Sequence, residues 1–188
     1  MADDVDSDGK GGWTDQGPRT DLRNLQAGDY AWNKVPFRVE KGNACFIMKN
    51  KQRPSENLPD SGKVDINTKA DVLAFLHTGG WQNADTIHST YVIHYADGTK
   101  AEIPVIGGKN ILDWTQPAER AAEIKYKPEM GLLLQATKVA SPKLVQVSIW
   151  MLLWTNPHPE KEISTIEVIG ANQGIPGLIA VSAGVDRK

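Results

Sequence analysis

The chain has 188 residues, 40% of them hydrophobic and 23% charged, which suits one large domain with a real core. Its 21 Lys and Arg face 23 Asp and Glu, for a formal net charge of −2. That balance excludes a basic field able to hold a phosphate backbone, so nucleic acid is not an expected partner.

Read in chain order, residues 1–29 form an irregular, Asp- and Gly-rich segment belonging to the single domain expected over 1–188. Short strands are predicted at Trp32–Val39, Ala44–Lys49, Lys63–Ile66 and Val72–Thr78. Thr86–Tyr95 alternates, Ala96-Asp97-Gly98-Thr99 turns, and Lys100–Ile106 returns, an Asp-Gly hairpin signal. Thr115–Tyr126 carries the one helix-or-turn signal, overlapping a strand candidate at Ala122–Tyr126. Further strands are predicted at Leu132–Thr137, Val145–Trp154, Ile163–Ile169 and Gly177–Val181. Pro18, Pro54, Pro117, Pro142 and Pro157 fall between them, where a missing amide donor matters least. About ten short strands with turns between them predict an all-β fold of two stacked antiparallel sheets, a β-sandwich.

Alternation assigns faces. In Ile87–Tyr95 the odd residues Ile87, Tyr91, Ile93 and Tyr95 are expected inside, and His88, Thr90, Val92 and His94 outside. In Val145–Trp154 the odd set is wholly apolar, and Trp150 and Trp154 share the other face, ~13 Å apart. They form either a platform on an open sheet or part of a strand buried on both faces. Cys45 is the only cysteine, so an intrachain disulfide and a Cys-based zinc cluster are excluded. The stretch from Leu144 to Trp154 is the longest apolar one, and it is too short to span a bilayer. No membrane insertion is expected.

The run Gly11-Gly12-Trp13-Thr14-Asp15-Gln16-Gly17-Pro18, followed by Asp21-Leu22-Arg23, carries a resemblance. So do Val35-Pro36-Phe37, Leu76-His77-Thr78-Gly79-Gly80-Trp81, Tyr95-Ala96-Asp97-Gly98-Thr99 and Trp154-Thr155-Asn156-Pro157-His158-Pro159-Glu160-Lys161-Glu162-Ile163. In this order they resemble a bacterial domain, with a galactose-binding-like jelly-roll fold, appended to glycoside hydrolases. The resemblance implies a non-catalytic carbohydrate-binding role beside polysaccharide-degrading machinery. It also implies a poly- or oligosaccharide as partner, a catalytic module in a larger protein, and an extracellular or periplasmic location. The chain departs from the usual pattern at Lys138–Val147, which is longer and more apolar.

Trp13, Trp81 and Trp114 fall in or beside predicted loops, flanked by Gly, Asp, Thr or Gln. A flat indole lies against the C–H face of a pyranose while nearby polar groups bond its hydroxyls, so these three are candidate ligand contacts. The competing reading has each plugging a sandwich end. Asp15, Gln16, Arg19, Asp21 and Arg23 surround Trp13 and supply the polar half of such a site, or else an Asp–Arg pair that pins the loop. Asp4-Val5-Asp6-Ser7-Asp8-Gly9 reproduces the first half of a calcium loop, with Asp15 at the twelfth position. Asp4, Asp6, Asp8 and Asp15 are therefore candidate ligands for structural Ca2+, against a solvated acidic terminus.

No Gly-x-Ser-x-Gly elbow, His-Glu-x-x-His or phosphate loop occurs, and no catalytic residue is assigned. His77 follows an apolar run and is expected in the core, while His88 and His94 stand too far apart, ~20 Å, for one ion. A small polysaccharide lyase or glycoside hydrolase on the same fold is the alternative. Its acid and base would come from carboxylates such as Asp85, Asp113 and Glu119. A structural or protein-docking domain of a secreted assembly is a third.

Overall fold

The computed structural model describes residues 4–10, 13–42, 45–53, 57–140 and 146–185. Asp3, Gly11, Gly12, Ala44, Pro54, Pro142 and Val145 lie outside the described residues. The strands are β1 (Gly28–Trp32), β2 (Val35–Val39), β3 (Phe46–Ile47), β4 (Ser61–Lys69), β5 (Val72–Gly80) and β6 (Ile87–Tyr95). They continue as β7 (Lys100–Ile106), β8 (Leu132–Ala140), β9 (Gln146–Thr155), β10 (Glu162–Gly170) and β11 (Ile175–Gly184). The one α-helix among the described residues is α1 (Ala118–Ala122).

All strand pairing between these elements is antiparallel. One sheet runs β4-β10-β6-β7 and the other β3-β11-β5-β9-β8, with β1 and β2 as a separate hairpin. Tyr91, Ile93, Tyr95, Ile103, Val105, Ile163, Ile166 and Val168 of the first sheet meet Leu73, Phe75, Leu152, Trp154 and Leu178 of the second. The expected all-β sandwich is therefore present. The expected Asp-Gly hairpin joins β6 to β7, pairing His94 with Lys100, with Gly98 at positive φ.

A third layer was not anticipated. The outer face of the five-stranded sheet, carrying Ala74, Leu76, Val147, Ile149, Met151, Ile175 and Ile179, is apolar. Trp13, Leu22, Phe37 and Val39 cover it, so the irregular N-terminal segment and the β1–β2 hairpin act as a lid on that sheet. β5 and β9 are thus apolar on both faces because both faces are covered. Trp150 and Trp154 are buried, which overturns the open-sheet platform.

Four local expectations are corrected. Trp32–Val39 is the end of β1, a turn and β2 rather than one strand, because Asn33 and Lys34 both adopt positive φ and reverse the chain. Ala122–Tyr126 is the end of α1 and a turn, not a strand. β4 and β11 are longer than expected. The fourth concerns His88, expected outside but fully buried, while Ile87 is exposed. A bulge between Ile87 and Ser89 slips the period of two there, so the two side chains exchange faces. The buried ring sits between two backbone carbonyls, Gln173 at 3.0 Å and Asn83 at 3.1 Å, and joins two loops at one end of the sandwich.

Candidate functional site

The structure gathers the three loop indoles into one cluster. Trp13 and Trp114 meet edge to face at 5.4 Å, and Trp81 and Trp114 lie 5.5 Å apart. Trp114 is held by its amide, which donates to the Gly79 carbonyl at 2.7 Å, and by its carbonyl, which accepts from the Ser148 amide at 2.7 Å. A side chain at Gly80 would stand 2.9 Å from the Trp114 ring, so glycine there permits the close approach. Trp13 is 0% and Trp114 4% exposed, leaving Trp81, which is half-buried, as the member with a face toward solvent.

The polar residues around Trp13 are engaged with one another. Asp21 is buried and accepts from the Arg23 amide at 3.1 Å and from its Nε at 2.6 Å, while Arg23 also pairs with Asp4 at 2.9 Å. The Asp21 carboxylate, and then Asp4, raise the Arg23 guanidinium above its usual range. Asp15, at positive φ, turns its carboxylate onto the amides of Asp8 and Gly9 at 3.0–3.3 Å. Asp8 caps the Lys10 amide at 2.8 Å, Asp6 accepts from the Ser7 hydroxyl at 2.7 Å, and Asp6 and Gln16 form a backbone bridge. Arg19 is exposed. Among the described residues no group of three His, Cys, Asp or Glu side chains gathers as metal ligands. Of the carboxylates considered for acid–base work, Asp85 pairs with Lys109 at 2.9 Å and Asp113 accepts from Thr115, while Glu119 is exposed on α1.

A cleft that sequence reasoning missed is bordered by α1. It has a volume of about 330 Å³. Leu112, Ile124 and Met130 give it an apolar lining, and Lys109, Arg120, Glu123, Lys125 and Lys127 a charged one. Its walls are three short segments. The first is the turn after β7, where Gly108 has positive φ. The second is α1, whose Ala121 packs with Leu112, Leu133 and Trp150, joined by Ile124. The third is the Pro128–Met130 turn, which ends at Gly131. Gly131 has positive φ, and a Cβ on it would lie 2.5 Å from the Leu153 carbonyl, so only glycine lets this wall close onto β9.

Asn110 is the strut between the first and third walls. Fully buried, its side-chain oxygen accepts from the Ile106 amide at 2.7 Å. Its nitrogen donates to the carbonyls of Pro104 at 2.9 Å and Met130 at 3.2 Å. Between Lys125 and Lys127 in the chain stands Tyr126, 51% exposed and the most exposed aromatic ring among the described residues. The visible signal was Lys125-Tyr126-Lys127, an aromatic between two cations, but a strand assignment absorbed it.

No family model, no curated protein and no solved structure matches the chain. Among the described residues no helix is long and apolar enough to cross a membrane.

Proposed function

We propose that the chain is a non-catalytic carbohydrate-binding domain, a jelly roll of the galactose-binding-like kind, working beside polysaccharide-degrading machinery outside the cytoplasm. Its glycan seats in the cleft between the turn after β7, α1 and the Pro128–Met130 turn. The observation that carries this reading is the cleft's composition. An apolar lining of Leu112, Ile124 and Met130 suits the C–H faces of a sugar ring, and the polar rim suits its hydroxyls. Its volume of about 330 Å³ falls within the roughly 300–1,000 Å³ of small-ligand sites. Tyr126 stands in the chain between the lining residues Lys125 and Lys127 and exposes an aromatic ring.

Affinity electrophoresis of the folded protein through a panel of plant, algal and host polysaccharides tests the proposal. Retardation by at least one polysaccharide is expected, weakened about tenfold by Tyr126→Ala at unchanged melting temperature. A panel in which no glycan slows the folded protein overturns it. The half-buried ring of Trp81 is a second contact patch on the same reading. Trp81→Ala in the same gels separates the two patches.

A further inference from the structure

We propose that the saccharide taken by this cleft is anionic, bearing carboxylate or sulfate ester groups. The inference rests on the reading above that the cleft holds a glycan. Its lining has four cations, Lys109, Arg120, Lys125 and Lys127, against a single carboxylate, Glu123. Two of the four are already compensated: Arg120 pairs with Glu123, and Lys109 pairs with Asp85 at 2.9 Å. Lys125 and Lys127 have no carboxylate within salt-bridge distance among the described residues.

That leaves two uncompensated ammonium groups on one concave surface of a protein whose formal net charge is −2. The positive potential is therefore local to the cleft rather than a property of the whole surface, and a concave wall concentrates such a field. Like charges around one concavity repel until an anion enters between them. Arg120 adds a planar donor fork that matches the two oxygens of a carboxylate or sulfate, once it turns from Glu123. The apolar lining beneath is where the uncharged ring would lie, so one ligand uses both halves of the site. A nucleic acid chain fits less well, because the charge is confined to one pocket and does not form a stripe along which a backbone could run.

Titration calorimetry of the full chain against polygalacturonate (carboxylate), carrageenan (sulfate ester) and neutral galactan decides the matter, at low and raised salt. At least one anionic polymer should bind about tenfold or more tightly than galactan, and should weaken as salt rises. The double variant Lys125→Ala, Lys127→Ala should lose about tenfold or more of that affinity with no change in melting temperature, because both side chains are exposed. Preference for polygalacturonate assigns the carboxylate, and preference for carrageenan the sulfate; either supports the proposal. Galactan binding as tightly, or an unaffected double variant, overturns the anionic assignment while leaving the glycan reading in place. Binding of a single-stranded DNA oligonucleotide as tightly as either polymer also overturns it. Silence from all three polymers removes both readings.

Discussion

His77 lies fully buried on β5, its Nδ1 sharing a hydrogen bond of 2.9 Å with the Tyr91 hydroxyl, while Tyr91 stacks on Phe75 at 4.4 Å. Burial pushes the imidazole down from 6.5 to about 3 and the Tyr91 phenol up, so both are neutral in the core. As pH falls, the unfolded chain protonates at His77 first. The stability contributed by keeping this ring neutral is therefore complete above pH 6.5 and declines between 6.5 and about 3. The slope reaches about 1.4 kcal/mol per pH unit. Urea denaturation at stepped pH should show the midpoint falling below pH 6.5, before most carboxylates titrate. His77→Gln, which keeps a partner for Tyr91, should remove that part of the slope. An equal slope in the variant would trace it to another group. The burial of His77 was legible because it closes an apolar run. His88 was not, because one bulge exchanges the faces of neighbouring residues without altering composition. Asn110 was illegible for a different reason: a buried polar strut has no period, and its three partners come from β7 and the distant Pro128–Met130 turn.

Among elements, the N-terminal lid shows most clearly how a structureless-looking segment can carry energy. It has few ladder bonds, yet Trp13 is completely buried against the outer face of the five-stranded sheet. Deleting a buried indole leaves a cavity as well as losing its burial, about 3–5 kcal/mol for Trp→Ala. Trp13→Ala should lower urea stability by about that much and raise binding of a hydrophobic dye. Trp81→Ala, at a half-buried position, should cost distinctly less. Equal losses would mean that the lid is anchored through Trp81 instead. A parallel case exists at the Tyr95–Asn156 corner. There the Tyr95 hydroxyl donates to the Asn156 side-chain oxygen at 2.6 Å, and the Asn156 nitrogen donates to the Ala70 carbonyl at 2.8 Å. Asn156→Ala leaves buried partners unsatisfied and should cost about 1–3 kcal/mol in the same assay. At this scale most strands were legible, since alternation and continuous apolar runs mark β5 to β7 and β9. The lid's role was implicit in those runs, because a strand apolar on both faces needs two covers. The helix-or-turn signal at Thr115–Tyr126 marked α1, but the helix makes barely one turn, too short for a 3.6-residue period to displace the overlapping strand candidate at Ala122–Tyr126.

At the scale of the molecule, β5 and β9 are shared by everything. β5 is bonded to β11 on one edge and β9 on the other, and β9 to β5 and β8. One face of this pair closes the sandwich core and the other receives the lid. Exposing their amides requires both cores to separate, which is the global unfolding event. β4 and β7, by contrast, are the outer strands of the four-stranded sheet, with one edge each unpaired within it. β4 alternates exposed and half-buried residues through Ser61, Lys63 and Asp65, and β7 carries Pro104. Both features suit an edge that resists pairing with another chain. Native-state hydrogen exchange should therefore divide the strands. Amides of β5 and β9 should exchange only with the full urea dependence of global unfolding, while those of β4 and β7 open with lower free energy and shallower dependence. Trp13→Ala should reduce protection in β5 and β9 by the same free energy that it removes from global stability, because those amides have no cheaper route to solvent. If β5 exchanged through a sub-global opening in the unaltered protein, the lid would be detaching independently. The two cores would then be separable units rather than one cooperative structure built across a common sheet.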